Sequence, residues 1–226
     1  MFPHSVIIFD CVKIEAMRKS KKSLSSLDLV GIDEAGRGPL AGPLAIGFFV
    51  VHTTSALRQF RGVKDSKQLS ERQREEWFAR IRSAATRGEI AYTVAMVQAR
   101  TIDELGLSPA IRRALDRGLR RLVERGWAAP ETTKILLDGS LYAPRRYASQ
   151  ETIIDGDAKE PIIALASICA KVTRDRRLKR LAKLYPAYGF EIHKGYGTKV
   201  HYASLRRHGL SPEHRRSFLK NFSGQK

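Results

Sequence analysis

The sequence predicts an α/β protein in which helices flank one mixed β-sheet and a helical region forms the C-terminal extension. Short apolar runs of strand length alternate with longer segments of helical pattern, an order typical of a sheet covered by helices. The 226 residues are 42% hydrophobic, which is enough to bury a substantial core. We therefore expect one domain over residues 27–226, preceded by a short leader.

Apolar runs bounded by turn residues predict the strands. Residues 1–26 lack a sustained hydrophobic period and carry the run Arg18-Lys-Ser-Lys-Lys22, which indicates a flexible basic leader. A turn rich in glycine and proline separates the first two apolar runs, so we expect them to form a hairpin. In chain order, the predicted strands are Leu27–Ile32, Ala45–Val51, Ile90–Val97, Lys134–Leu137 and Thr152–Ile154.

Capping signals predict where the helices begin. Ser70 with Gln73 matches a capping box, and the pair of Thr101 and Glu104 resembles a second one. Ser108 precedes a proline that favours the first helical turn, so we expect a helix with a strongly basic face there. In chain order, these four predicted helices cover residues 70–87, 109–125, 162–184 and 198–208.

Charge and cysteine content limit the classes of function. The chain has 41 Lys and Arg against 23 Asp and Glu, a net charge of +18 that favours a polyanion such as nucleic acid as partner. Cys11 and Cys169 match neither a zinc pattern nor a disulfide framework, which indicates a reducing compartment. The apolar run Ser5–Phe9 is too short for a signal peptide or a membrane span, so we predict a cytoplasmic protein without a membrane partner.

Acidic residues follow two of the predicted strands. Asp33 and Glu34 come directly after the first strand, and Asp138 follows Ile135–Leu137. Adjacent strands can bring such residues to one edge of a sheet, where like charges need a metal, protons or cationic neighbours. The alternative for each of them is an ordinary solvated turn residue.

A fourth acid has two candidates in the sequence. Asp157 precedes the long helix, where it either caps that helix or binds a metal. Asp175 is surrounded by Arg174, Arg176 and Arg177, which favours a structural ion pair, so we rank Asp157 first. Oxygen ligands without Cys or His at metal spacing suit Mg²⁺ or Mn²⁺. Such a site predicts hydrolysis of phosphodiesters.

Longer motifs add a resemblance to a known family. They are Asp33-Glu-Ala-Gly-Arg-Gly-Pro-Leu-Ala-Gly-Pro43, Asp65-Ser-Lys-Gln-Leu69, Leu137-Asp-Gly139, Ala166-Ser-Ile-Cys-Ala-Lys-Val-Thr-Arg-Asp175 and His193-Lys-Gly-Tyr-Gly-Thr198. In this order they resemble ribonuclease HII, the type 2 ribonuclease H. The resemblance implies a ribonuclease H-like fold and two-metal catalysis with Mg²⁺ or Mn²⁺. It also implies cleavage 5′ to a ribonucleotide, leaving a 3′-hydroxyl and a 5′-phosphate, in RNA/DNA hybrids and in duplex DNA with embedded ribonucleotides.

The resemblance implies roles for individual residues. Its catalytic metal ligands would be Asp33, Glu34, Asp138 and Asp157. The family's backbone reader of the ribose 2′-hydroxyl matches Gly36, Arg37 and Gly38, where glycine allows close approach of a sugar. Tyr196 resembles the tyrosine that senses the junction between ribose and the following deoxyribose. Phosphate contacts are expected from Lys67, Ser167, Lys171 and Lys194. His193 would either contact phosphate or orient its loop.

The chain departs from the family pattern at two positions. Asp155 stands where lysine commonly precedes the Gly-Asp pair, which adds negative charge beside Asp157. Leu165 stands where the helix motif usually has alanine, a local change in packing. Neither departure removes a functional group of the predicted site.

Other classes of protein make different predictions. A catalytically silent nucleic-acid-binding protein would lack the acids. Ribonuclease HIII usually carries an additional N-terminal domain, for which the segment before Leu27 is too short. A resolvase or integrase-like nuclease would share the acids but would not need the Gly-Arg-Gly segment or Tyr196. The family further implies a monomer, with a sliding clamp as a candidate partner.

Overall fold

The computed structural model describes residues 28–222. The predicted leader, residues 1–26, lies outside the described residues. The strands are β1 (Leu29–Ala35), β2 (Leu44–Val51), β3 (Ala91–Val97), β4 (Lys134–Asp138) and β5 (Gln150–Ile153). They form one sheet in the order β3-β2-β1-β4-β5. Strands β1, β2 and β3 pair antiparallel, whereas β4 pairs parallel with β1 and β5, so the predicted hairpin and mixed sheet are confirmed.

Helices cover both faces of the sheet and form most of the C-terminal region. They are α1 (Glu71–Thr86), α2 (Ala99–Leu105), α3 (Leu107–Glu124), α4 (Gly156–Lys159), α5 (Pro161–Leu184), α6 (Phe190–His193) and α7 (Lys199–His208). Short 3₁₀ segments occupy Thr54–Phe60, Pro186–Tyr188 and Arg216–Phe218. The predicted capping box of α1 is confirmed, because Ser70 Oγ accepts from Gln73 N and Gln73 Oε1 accepts from Ser70 N.

The predicted boundaries of α2 and α3 are wrong. Helix α2 begins at Ala99, so Thr101 lies inside it and does not cap it. Helix α3 begins at Leu107, so Ser108 is a helical residue. Gly106 ends α2 and starts α3 with a φ of 79°, a conformation that glycine adopts without steric cost. Because Gly106 caps both helices, Ser108 does not act as the N-cap of α3.

All five strands differ from their predicted bounds by at least one residue, and β1 and β5 differ most. Strand β1 continues through Ala35, because Asp33 pairs with Gly47 and Glu34 pairs with Ile46 of β2. The acids therefore lie within the strand and not after it. Strand β5 begins at Gln150, two residues before the predicted start, because it pairs with β4 from Ile135 onward.

The sheet separates two apolar clusters. Alternate residues of β1 and β2, such as Ile32 and Phe48, pack with α3, and the opposite face packs with α1 and α5. Helix α5 crosses the sheet very closely. A Cβ added at Gly47 would lie 2.1 Å from the Ala166 carbonyl oxygen, and one at Gly31 would lie 2.4 Å from that of Ile162. Glycine at both positions thus lets α5 rest directly on β1 and β2.

A third apolar cluster holds the C-terminal helices against the rest of the domain. Leu178 and Leu181 of α5 pack with Phe190 of α6 and Leu205 of α7. An isolated bridge between Ala41 and His214 ties the segment after α7 to the loop that follows β1. The predicted helical C-terminal region is therefore packed on the edge where β1 ends. Within residues 28–222, no helix is both long and apolar enough to cross a bilayer.

Candidate active site

Carboxylates of two neighbouring strands meet at one edge of the sheet. Parallel pairing sets Ile32 of β1 beside Leu137 of β4, so Asp33 and Asp138, the next residue in each strand, lie on neighbouring strands at the same level of the sheet. The Asp138 carboxylate oxygen Oδ1 accepts hydrogen bonds from the backbone N–H groups of Gly156 (2.7 Å) and Asp157 (3.4 Å). These bonds draw α4, which carries Asp157, to the same edge.

Two cationic side chains flank the acids. Lys67 Nζ lies 2.9 Å from Asp157 Oδ2, and this hydrogen bond raises the pKa of Lys67 to about 12. On the other side, Arg37 Nη1 donates to Glu34 Oε1 at 2.9 Å and to Ser140 Oγ at 3.1 Å. The chain's own cations therefore balance part of the acidic charge.

Asp33 is the most strongly perturbed of these acids. It is 3% exposed, and burial raises its pKa to about 8, with further increases from the charges of Glu34 and Asp138. A hydrogen bond from Ser167 acts in the opposite direction. The Ser167 hydroxyl oxygen also lies 2.8 Å from that of Ser66, and both serines are buried. Ser66 was missed by sequence reasoning, because a single serine inside a motif carries no signal of burial.

Glu34 supplies evidence that the edge suits a cation. Burial raises its pKa, while the charge of Arg37 opposes the increase. Its second carboxylate oxygen, Oε2, is buried and has no hydrogen-bond partner among the described residues. A buried carboxylate oxygen without a partner is costly and would be satisfied by a hard cation. The donor set is entirely oxygen, which fits Mg²⁺ or Mn²⁺.

The acids are near one another without enclosing an ion. Over residues 28–222, no group of three or more Asp, Glu, His or Cys side chains is already arranged to hold a metal. Lys67 binds Asp157 through Oδ2, and Arg37 binds Glu34 through Oε1, whereas Glu34 Oε2 is unpartnered. A metal ion would therefore compete with a protein cation only at the two paired oxygens.

The remaining predicted phosphate contacts are engaged within the protein. Lys171 Nζ lies 3.0 Å from Asp175 Oδ1, so the predicted ion pair of Asp175 is present, with Lys171 as partner and not one of the arginines. Lys194 Nζ donates to the Glu191 carbonyl oxygen at 2.8 Å. Asp155, the departure beside the fourth acid, is exposed and has a φ of 55°, and its side chain does not cap α4.

The segment containing Gly36, Arg37 and Gly38 is here called the glycine-arginine loop (residues 36–43). Arg215, which is fully buried, donates to the carbonyl oxygens of Gly36 (2.7 Å), Arg37 (2.8 Å) and Gly42 (3.1 Å). Burial lowers the pKa of Arg215 to about 9. Because its guanidinium binds the loop from inside, the loop has a fixed backbone conformation. Sequence reasoning missed Arg215, which lies outside every motif.

The segment carrying Tyr196 is called the tyrosine loop (residues 193–198). His193, 7% exposed, has both ring nitrogens occupied by main-chain groups: Nε2 donates to the Tyr188 carbonyl oxygen at 2.7 Å, and Nδ1 accepts from Gly195 N at 3.2 Å. Of the two roles expected for His193, this geometry favours orientation of the loop. Tyr196 itself is 46% exposed.

A chain of imidazoles continues beneath the tyrosine loop. His201 Nδ1 lies 2.8 Å from the Tyr196 carbonyl oxygen, which can only accept, so this nitrogen carries the hydrogen. His201 Nε2 then accepts from His214 Nε2 at 3.0 Å, and His214 Nδ1 accepts from Ser211 N at 2.9 Å. Both rings are therefore neutral, and burial lowers the pKa of each to about 4.

These two histidines predict a loss of stability in acid. Their folded-state pKa values lie below the ordinary value of 6.5, so the unfolded chain takes up protons first as the pH falls. The stabilisation by the two neutral rings is complete above about pH 6.5. It declines as the pH falls to 4, by on the order of 3 kcal/mol for each histidine. Urea unfolding at a series of pH values should show this decline, and His214→Gln should flatten it. If the free energy of unfolding of His214→Gln fell with pH as steeply as that of the wild type, the buried histidines would not be the cause of the decline.

Solved structures with the same architecture define the class. The structure of the PCNA:RNase HII complex from Archaeoglobus fulgidus matches with a TM-score of 0.66 and 27% identity, covering 88% of this chain and 97% of that one. Ribonuclease H2 from Pyrococcus horikoshii OT3 matches with a TM-score of 0.64 and 28% identity, covering 88% and 100%. The molecule is an α/β protein of the ribonuclease H-like class, and the predicted fold is confirmed.

Sequence comparison gives the family. The ribonuclease HII model matches residues 30–221. Ribonuclease HII of Desulfitobacterium hafniense (strain DSM 10664 / DCB-2) is 42% identical over 214 residues, covering 93% of this chain and 77% of that protein. Ribonuclease HII of Marinomonas sp. (strain MWYL1) is 41% identical over 190 residues, covering 84% and 89%. The chain belongs to the ribonuclease HII family, whose members are divalent-metal-dependent endoribonucleases acting on RNA/DNA hybrids.

Proposed function

We propose that the enzyme hydrolyses the phosphodiester bond 5′ to a ribonucleotide, both in RNA/DNA hybrids and in duplex DNA with embedded ribonucleotides. The products would carry a 3′-hydroxyl and a 5′-phosphate. The observation that carries this proposal is the meeting of Asp33, Glu34, Asp138 and α4 at one edge of the sheet, next to the glycine-arginine loop. Acids for catalysis and a backbone suited to a ribose sugar thus lie side by side.

The proposed metal ligands are Asp33, Glu34, Asp138 and Asp157. Two divalent ions held there would activate water and offset the charge on the phosphate and the leaving oxygen. The chain's own groups prepare the site for them. Ser167 hydrogen bonds to Asp33 and fixes its carboxylate, and the backbone of α4 fixes Asp138. Lys67, whose side chain is 75% exposed, can turn from Asp157 to a phosphate when that acid binds metal.

Sugar and phosphate recognition is proposed for the surfaces on either side. Gly38 is exposed, with no atom near the position of a Cβ, so a sugar can approach its backbone. Tyr196 presents an exposed ring for the deoxyribose that follows. Phosphates along the strand would be bound by residues on α5 and in the loops, namely Lys67, Ser167, Lys171 and Lys194. Such contacts position the duplex without reading its sequence.

Cleavage of end-labelled duplexes tests the proposal. We expect one cut, 5′ to the ribonucleotide, in DNA with a single ribonucleotide, and multiple cuts in an RNA/DNA hybrid. Both reactions should need Mg²⁺ or Mn²⁺ and stop with EDTA. The matched control is the same duplex made entirely of DNA. Equal cutting of the all-DNA duplex, or a product with a 5′-hydroxyl, would overturn the proposal.

Replacement of Tyr196 with alanine should affect selectivity more than metal binding. The exposed ring has no part in the acid edge, so its loss removes a sugar contact and leaves the carboxylates in place. We expect kcat/KM for the single-ribonucleotide duplex to fall about tenfold to a hundredfold, equivalent to roughly 1–3 kcal/mol of stacking. The Mn²⁺ concentration for half-maximal rate should stay the same. Weaker metal affinity with intact selectivity would reverse the assignment of Tyr196 to sugar recognition.

The biological setting follows from this activity. We propose that residues 27–226 act as one catalytic unit, because the C-terminal helices pack against the glycine-arginine loop. The enzyme would act as a cytoplasmic monomer in ribonucleotide excision repair and primer removal. A sliding clamp is a candidate partner, since the Archaeoglobus fulgidus ribonuclease HII was solved in complex with PCNA.

A further inference from the structure

We propose that Arg174 is a positioning residue that couples the glycine-arginine loop to the tyrosine loop and thereby sets selectivity for an embedded ribonucleotide. The inference rests on the proposed function of the two loops. The buried Arg174 side chain would hold these two loops, which together form the proposed sugar site, at a fixed separation.

Arg174 contacts both loops with one guanidinium group. Its Nε donates to the Pro43 carbonyl oxygen at 2.8 Å, and its Nη2 lies 3.4 Å from that of Ala41. The same Nη2 donates to the Lys194 carbonyl oxygen at 3.0 Å. Its Cζ lies 6.0 Å from the centroid of the Tyr196 ring. A single planar group therefore spans the two loops.

The backbones of the loops meet at the same place. Leu40 N and Ala41 N both donate to the Gly195 carbonyl oxygen, at 2.8 Å and 3.2 Å. A Cβ at Gly195 would lie 2.2 Å from the Ala41 carbonyl oxygen, so the two chains touch without space for a side chain. Arg174 lies beneath this contact and binds the Ala41 carbonyl oxygen. The contact between the two loop backbones and the Arg174 guanidinium thus form one hydrogen-bonded unit.

The chemistry of Arg174 favours a positioning role over a simple packing role. The side chain is 1% exposed, its hydrogen-bond acceptors are main-chain carbonyls, and burial lowers its pKa. A buried cation is costly unless its donors are satisfied, and only the rigid fork of arginine reaches several carbonyls at once. Replacement of Arg174 with lysine keeps the charge but loses the planar fork, so this variant distinguishes a positioning role from a simple packing role.

Helix α5 links this unit to the acids. Ser167, which hydrogen bonds to Asp33, lies seven residues before Arg174, and so two helical turns or about 10 Å separate them. Because α5 rests on the sheet, it provides a rigid spacer between the catalytic edge and the sugar site. Loss of the Arg174 contacts would let the loops move relative to the acids.

A double-mutant cycle tests the coupling. The readout is the ratio of kcat/KM for a single-ribonucleotide duplex to that for an RNA/DNA hybrid. We expect Arg174→Lys to lower this ratio about tenfold in the wild-type background, and to leave it unchanged in a Tyr196→Ala background, because the guanidinium acts through the tyrosine loop. An equal fall in both backgrounds, or no fall in either, would overturn the inference. Wild-type enzyme that ignores ribonucleotides would instead overturn the proposed function.

Hydrogen exchange supplies a readout independent of cleavage. Arg174→Lys should accelerate exchange of the amides of Leu40 and Ala41, which donate to Gly195, together with those of the tyrosine loop. The matched control is Leu181→Ala, a fully buried position two turns further along α5 that loses apolar packing and no loop hydrogen bond. If Leu181→Ala accelerates the same amides equally, the effect is general destabilisation and the inference fails.

Discussion

Replacement of Asp138 with asparagine is expected to lower kcat/KM about a thousandfold while the fold stays intact. A proposed metal ligand that loses its charge forfeits several kcal/mol of transition-state stabilisation, and about 4 kcal/mol corresponds to that factor. The amide oxygen of asparagine can still accept from Gly156 N and Asp157 N, so α4 should remain at the sheet edge. The substitution therefore removes charge and little else.

In the absence of metal, the Asp138→Asn variant should be at least as stable as the wild type. Asp138 contributes to the raised pKa of Asp33, so removing its charge relieves repulsion in the buried edge. Thermal unfolding in EDTA should show an unchanged or higher Tm. Added Mn²⁺ should raise the Tm of the wild type more than that of the variant, because only the wild type keeps all four carboxylates.

Asp155→Asn is the matched control for Asp138→Asn. Asp155 is an exposed acid close in sequence to Asp157, with a φ of 55° that asparagine tolerates. We expect its kcat/KM to stay within about threefold of the wild type, as for a surface charge outside the site. Comparable losses in the two variants would show that overall negative charge, and not the position of Asp138, supports cleavage.

Parts of the site could be predicted because strand geometry is encoded locally. Asp33 and Asp138 each follow an apolar run, and parallel pairing of β1 with β4 brings such positions together. The side chains that support them are a different matter. Arg215 and Ser66 are buried polar residues whose partners lie in distant segments, so the local sequence does not reveal that their side chains are buried.

The same distinction explains the errors in secondary structure. The capping box of α1 needs only Ser70 and Gln73, three residues apart, and was predicted correctly. The end of β1 depends instead on hydrogen bonds to β2, which keep Asp33 and Glu34 in the strand. The start of α3 depends on the positive φ of Gly106, which a serine-proline signal just downstream concealed.

Alanine at Gly36 should disrupt the glycine-arginine loop more than alanine at Gly38. Gly36 has a φ of 92°, and an added Cβ would lie 2.0 Å from Arg174 Nε. That nitrogen cannot withdraw easily, because it donates to the Pro43 carbonyl oxygen. Backbone strain and the steric clash together should reduce the free energy of unfolding by about 3 kcal/mol. Cleavage should fall with it, since the loop would separate from Arg174.

Gly38 provides the matched control within the same loop. It is exposed, its φ is not positive, and a Cβ there would meet no heavy atom within 4 Å. Gly38→Ala should therefore unfold within about 0.5 kcal/mol of the wild type in urea. Its kcat/KM should nevertheless drop for ribonucleotide substrates, because a methyl group would occupy the space proposed for the ribose. Full activity in Gly38→Ala would mean that no sugar approaches this backbone, whereas wild-type stability in Gly36→Ala would mean that Arg174 does not hold the loop from below.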